Sequence, residues 1–127
     1  MTKLFDLESR NMRLFALVAA IMLGGLIAYL SLIGSSSGPH FQWSDKVQHF
    51  IAYTALTLPL ALFLGRGRFI WAILAAGFYG VLLEFAQGWL TDDRIPSALD
   101  AIANLLGACA GVCIAIICLR VLRVSRA

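Results

Sequence analysis

A run of apolar and small residues extends from Leu14 to Ile33 without a charged or amide side chain. A bilayer span needs about 20 mostly apolar residues. Signal peptides have a shorter apolar core, of about 7 to 15 residues, so we predict a retained membrane helix here. Three further apolar segments have comparable length. The predicted spans are residues 14–33, 47–64, 69–90 and 98–119.

Composition agrees with a chain that is mostly embedded in lipid. Of the 127 residues, 61% are hydrophobic and only 13% are charged. We therefore predict an all-α polytopic membrane protein, a single domain over residues 1–127 that forms a four-transmembrane-helix bundle with short loops. The four spans leave no room for a separate soluble catalytic domain. The mild net charge of +3 argues against a nucleic-acid-binding module.

Basic residues indicate the orientation of the bundle. All but two of the 10 Lys and Arg residues lie in the two tails and in the second connection, at Arg66 and Arg68. The first connection contributes Lys46 and the third contributes Arg94. Because cytoplasmic flanks accumulate positive residues, we expect both termini in the cytoplasm. The chain is expected to cross its membrane in several passes.

Small residues repeat every four positions on the fourth predicted helix. They are Ala103, Gly107, Gly111 and Ala115. Such a stripe lets helix backbones approach closely in lipid. The spacing predicts a compact bundle, but it leaves open whether the stripe closes one chain or joins two, so the oligomeric state stays undetermined.

Polar residues recur with helical spacing at the same end of the last three spans. They are Asp45, His49 and Tyr53 on the second, Glu84 and Gln87 on the third, and Asp100 and Asn104 on the fourth. Ionisable groups inside a membrane are costly and commonly mark functional sites. We therefore predict one shared polar pocket that opens away from the cytoplasm, with Arg94 of the third connection closing it.

Structural explanations exist for several of these residues. Ser97 and Asp100 have the spacing of a capping box, in which the carboxylate satisfies free amides at the start of the fourth helix. Asp45 lies where a carboxylate favours the dipole of the second helix. Arg94 has the alternative of being an ordinary solvated loop charge.

His49 and Glu84 are the candidates for chemistry. His49 has the properties of a general acid or base near neutral pH, with Glu84 orienting it or exchanging a proton, and Arg94 would hold a phosphate or carboxylate. No cofactor fingerprint is present, although His49, Glu84 and Asp100 together offer ligands for a divalent cation. Alternatively, His49 and Glu84 pair with each other and simply lock the helices together.

The polar motifs resemble those of a known family. They read Asp45-Lys46-x-x-His49-x-x-x-Tyr53, then Gly80-x-x-x-Glu84-x-x-Gln87, then Arg94, and then Asp100-x-x-x-Asn104-x-x-Gly107. This order is similar to that of the VanZ-like family of small bacterial integral membrane proteins, over residues 45–111. The resemblance implies a protein of the bacterial cytoplasmic membrane. The namesake is associated with low-level resistance to the antibiotic teicoplanin, and the resemblance implies no particular reaction.

Three functions remain open at this point. The first is binding or modification of an amphiphile at the outward-facing pocket, either a lipid-linked cell-envelope molecule or an amphiphilic glycopeptide antibiotic. The second is an acid–base membrane enzyme acting on a lipid-linked substrate through His49 and Glu84. The third is a non-catalytic structural or accessory membrane protein whose polar residues lock the bundle. The expected partners are the lipid bilayer and the amphiphile.

Overall fold

The computed structural model describes residues 2–33, 42–90 and 97–124. These residues form helices only, in the order α1 (Thr2–Ile33), α2 (Gln42–Leu64), α3 (Phe69–Leu90) and α4 (Ala98–Val124). Each helix contains a segment long and apolar enough to cross a membrane. The prediction of an all-α, four-helix, multi-pass membrane protein is thereby confirmed.

Three of the helices are longer than the predicted spans. α1 begins at Thr2 instead of Leu14, α2 begins at Gln42 instead of Val47, and α4 continues to Val124. Hydropathy identifies the part of a helix that fits the hydrocarbon layer. The backbone hydrogen bonds of a helix carry on into polar flanks, so the helix ends lie beyond the apolar segment.

The helices pack so that α2 and α3 lie in the middle of the bundle. α2 packs most extensively against α4, and both α1 and α4 contact α2 and α3. Within the described residues, α1 and α4 do not contact each other. One end of the bundle contains the last turns of α1 and α3 and the first turns of α2 and α4, and we call it the polar end. The opposite end is called the arginine end.

A glycine-containing turn joins α2 to α3 at the arginine end. Gly65 and Gly67 have φ values of 77° and 84°, which is the left-handed region that glycine adopts without steric cost. The Gly65 amide donates to the Ala61 carbonyl at 2.9 Å, as in a helix C-cap. Arg66 donates from Nη2 to the carbonyl of Leu119 at 2.9 Å. This contact ties the turn to the last turns of α4.

The small-residue stripe of α4 faces α2 within the same chain. A Cβ atom at Gly107 would overlap the carbonyl oxygen of Phe50, and one at Gly111 would lie 2.7 Å from the Thr54 carbonyl oxygen. The Thr54 hydroxyl also donates to the Gly107 carbonyl at 3.1 Å. These two glycines therefore permit a close approach of the α2 and α4 backbones inside one chain. The spacing alone had left open whether the stripe packs within one chain or between two.

A tyrosine hydroxyl links α3 to α1. Tyr79 donates to the Gly24 carbonyl at 2.6 Å. We expect Tyr79→Phe to lower the free energy of unfolding by about 0.6 to 1 kcal/mol, the usual worth of an interhelical hydrogen bond in a membrane protein. Tyr29→Phe is the matched control because Tyr29 is 60% exposed. Denaturant titration in detergent micelles measures both, and equal losses would contradict this assignment.

Candidate functional site

Ionisable and amide side chains from three helices meet at the polar end. We call this set the polar cluster, and it comprises Asp45, Lys46, His49, Glu84, Asp100 and Asn104. α2 and α4 contribute their first turns, whereas α3 contributes its last turns. The close approach of α4 to α2 at their small residues is what brings these turns together.

Lys46 and Asp100 form an ion pair across the α2–α4 interface. The Lys46 ammonium contacts Oδ1 of Asp100. Their side chains are 26% and 13% exposed, respectively. Because both groups are largely withdrawn from solvent, removing one partner would leave a poorly solvated charge, which costs more than the loss of a surface pair, typically about 0 to 1 kcal/mol.

His49 is held by a buried amide of α4. Its Nδ1 lies 3.0 Å from Oδ1 of Asn104, and Asn104 is only 3% exposed. Since a carbonyl oxygen accepts hydrogen bonds, Nδ1 is the donor and carries the proton. In a neutral imidazole with this tautomer, Nε2 is the nitrogen that can accept a proton or bind a metal ion.

Glu84 is hydrogen-bonded to the residue that precedes α4. Its Oε2 accepts a hydrogen bond from the backbone amide of Ser97 at 3.1 Å. Its other oxygen, Oε1, is buried and has no hydrogen-bond partner among the described residues. Asp100, His49 and Lys46 of the same cluster lie near this carboxylate. A buried acceptor without a donor is costly, so Glu84 has capacity for a further partner.

Two pairings expected from the sequence differ in the structure. The Ser97 amide is bonded to Glu84, and the carboxylate of Asp100 is bonded to Lys46, so the capping box between Ser97 and Asp100 is replaced by contacts between helices. Among the described residues, the ion pairs do not include one between His49 and Glu84. Both differences have the same reason: the partners come from other helices, and local spacing contains no information about them.

The metal-ligand set also differs by one residue. The sequence suggested His49, Glu84 and Asp100, whereas the structure groups Asp45, His49 and Asp100, with one ligand atom from each lying within 4.8 Å of the others. Asp45 and His49 are one helical turn apart and so share a face of α2. Glu84 instead points its Oε2 at the first residue before α4.

Tyr53 and Gln87 lie beside the cluster in structural roles. Tyr53 is 2% exposed and belongs to an apolar core with Leu56. A Cβ atom at Gly80 would lie 3.0 Å from its hydroxyl, so Tyr53 packs directly against α3. Gln87 donates from Nε2 to the carbonyl of Ser31 at 2.9 Å and thereby links α3 to α1.

Arg94 lies outside the described residues, so its predicted role in closing the pocket stays a prediction. From the sequence, Lys46 was taken as a loop charge and as part of the first polar motif, and its pairing with Asp100 was missed. Its position next to Asp45, in the first turn of a helix that also carries His49, was the available signal. No local signal pointed to the Ser97 amide as the partner of Glu84.

An apolar groove lies on the other side of the central helices. It has a volume of about 320 Å³, and small residues of α1 and α3, including Gly24, Gly25 and Ala75, line part of it. The hydroxyl of Tyr79, which also lines the groove, is already bonded to Gly24. The groove therefore suits an apolar occupant and offers no chemistry of its own.

The chain was compared with protein-family models, with curated proteins and with solved structures, and none of the three comparisons gave a match.

Proposed function

We propose that this protein binds the polar head group of an amphiphile at the polar end of its bundle, the expected class being a lipid-linked molecule of the bacterial cell envelope. The observation that carries the proposal is the spare bonding capacity of the polar cluster. Glu84 has a buried oxygen without a donor among the described residues, and His49, whose Nδ1 is bonded to Asn104, offers Nε2 as a second bonding atom. A set of polar groups that served only to hold helices together would have its buried atoms satisfied.

Charge at the two ends supports an outward-facing site in a bacterial cytoplasmic membrane. Arg66, Arg68 and Arg120 are exposed at the arginine end. By the positive-inside rule this end, which contains the start of α1 and the end of α4, faces the cytoplasm. The polar end then meets the outer leaflet, where lipid-linked envelope molecules present their head groups.

The motif resemblance to the VanZ-like family supports the same class of ligand. The glycopeptide antibiotic associated with the family's namesake belongs to the amphiphiles expected from the sequence. The proposed function is binding of a head group and includes no catalytic step.

Native mass spectrometry of protein extracted in mild detergent tests the proposal. We expect the wild type to retain a phospholipid or lipid-linked sugar. In Glu84→Gln, the amide oxygen can still accept from Ser97, but the second atom becomes a donor. We expect at least about a tenfold loss of the retained ligand, since a hydrogen bond to a charged group is worth about 1.5 to 3 kcal/mol.

Arg66→Ala is the control because it removes a polar contact at the opposite end of the bundle. It should leave the retained ligand unchanged. A wild-type protein that carries no amphiphile, or equal retention in wild type and Glu84→Gln, would reject the proposal.

A structural lock is the second candidate function. It is favoured by the fact that all three polar contacts of the cluster reach residues at the start of α4: Lys46 to Asp100, His49 to Asn104, and Glu84 to the Ser97 amide. On this reading the cluster mainly orients α4, and its variants would lose stability without losing a ligand.

A further inference from the structure

We infer that the polar end contains a binding site for a divalent cation, formed by Asp45, His49 and Asp100. One ligand atom from each side chain lies within 4.8 Å of the other two. Donors bound to one ion at about 2.1 Å stand about 3.0 to 4.2 Å apart, depending on the geometry. Small side-chain rotations therefore bring the three donors to metal-binding distances without a change in the helices.

The histidine is already arranged as a metal ligand. Histidines that bind metals donate the other ring N–H to a carbonyl or carboxylate, which fixes the tautomer and the ring orientation. His49 has this arrangement, because its Nδ1 donates to Asn104 at 3.0 Å. Asn104 is 3% exposed, so the support is rigid and shielded from water. This contact is independent of the acidic residues and points to Nε2 as the coordinating atom.

The polar cluster carries more formal negative charge than positive charge, and a bound cation would reduce this excess. Asp45, Glu84 and Asp100 formally contribute three negative charges, and among the described side chains of the cluster only Lys46 is permanently positive. Lys46 contacts Asp100, whereas Asp45 has no ion-pair partner among the described residues. Uncompensated carboxylates near a bilayer are costly, and a bound divalent cation would compensate them.

The ligand types indicate which cation binds. One imidazole with two carboxylates suits Mn²⁺ or Zn²⁺ better than Mg²⁺, which prefers oxygen ligands and retains its water. Cation binding does not depend on the proposed function.

Titration of the detergent-solubilised full chain with Mn²⁺, followed by electron paramagnetic resonance, tests this inference. We expect one Mn²⁺ per chain, competition by Zn²⁺, and a coupling to ¹⁴N in pulsed spectra that arises from His49. His49→Ala should abolish the ¹⁴N coupling. Asp45→Asn and His49→Ala should each weaken binding at least about tenfold. Asn104→Leu should weaken binding about 10- to 100-fold, as is usual for residues that orient a ligand.

Glu84→Gln is the matched control because it removes one negative charge from the same cluster without removing a ligand. It should weaken Mn²⁺ binding far less than Asp45→Asn. Equal weakening by the two variants would mean general attraction of cations to an acidic surface and would overturn the site. The absence of ¹⁴N coupling in the wild type would also overturn it, and that measurement does not depend on the folding of any variant. The ¹⁴N coupling reports on His49 whether or not an amphiphile is retained, so this readout can fail or succeed separately from the test of the proposed function.

Discussion

Gly107→Ala is expected to destabilise the bundle by about 1 to 3 kcal/mol, and Gly107→Leu by more. The added Cβ would overlap the backbone carbonyl oxygen of Phe50, and a backbone atom cannot move aside as a flexible side chain can. α4 and α2 would have to separate, which costs packing along their whole interface. The hydrogen bond from Thr54 to the Gly107 carbonyl would weaken at the same time.

Gly77→Ala provides the control for this substitution. Gly77 is also a helical glycine, but a Cβ atom there would have nothing within 4 Å. Unfolding by denaturant in detergent micelles should therefore show a loss for Gly107→Ala and no loss for Gly77→Ala. Similar stability of the two variants would show that the contact of α4 with α2 is looser than the structure indicates.

Lys46→Met is expected to lower the free energy of unfolding by about 2 kcal/mol. Methionine keeps much of the apolar stem of lysine but removes the ammonium, so the largely buried carboxylate of Asp100 loses its ion-pair partner. Removing one member of a buried pair costs about 3 to 5 kcal/mol, and we reduce that figure because Lys46 is 26% exposed. Gln48→Met is the control, because Gln48 is exposed on the same helix.

A double-mutant cycle with Asp100→Asn isolates the pair. If Lys46→Met loses stability because the Asp100 carboxylate is left without its partner, the double variant should be more stable than the sum of the two single losses predicts. Strict additivity would show that the two residues do not interact. The same cycle tests the structural lock: a lock predicts that cellular amounts of the variants fall with stability while any bound amphiphile is kept.

The chemistry at the polar end was only partly predictable. Helical spacing predicts that Asp45 and His49 share a face of α2, and the structure groups their ligand atoms. The partner of His49 was not predictable, since Asn104 is 55 positions away. To predict whether Asn104 or Glu84 is the partner of His49, one must know how each helix is rotated about its axis. Hydropathy specifies this rotation poorly in lipid-facing helices, because most of their surface is apolar.

The set of helices is legible in the sequence as four apolar segments of spanning length, with arginines near one end of the bundle and acids, amides and a histidine near the other. Length and hydropathy are local properties, so a single chain displays them directly. The pairing of Lys46 with Asp100, the contact of Asn104 with His49 and the packing of the α4 stripe on α2 are visible only in the folded bundle. Those contacts depend on how closely α4 approaches α2, which is set where Gly107 and Gly111 let two backbones touch.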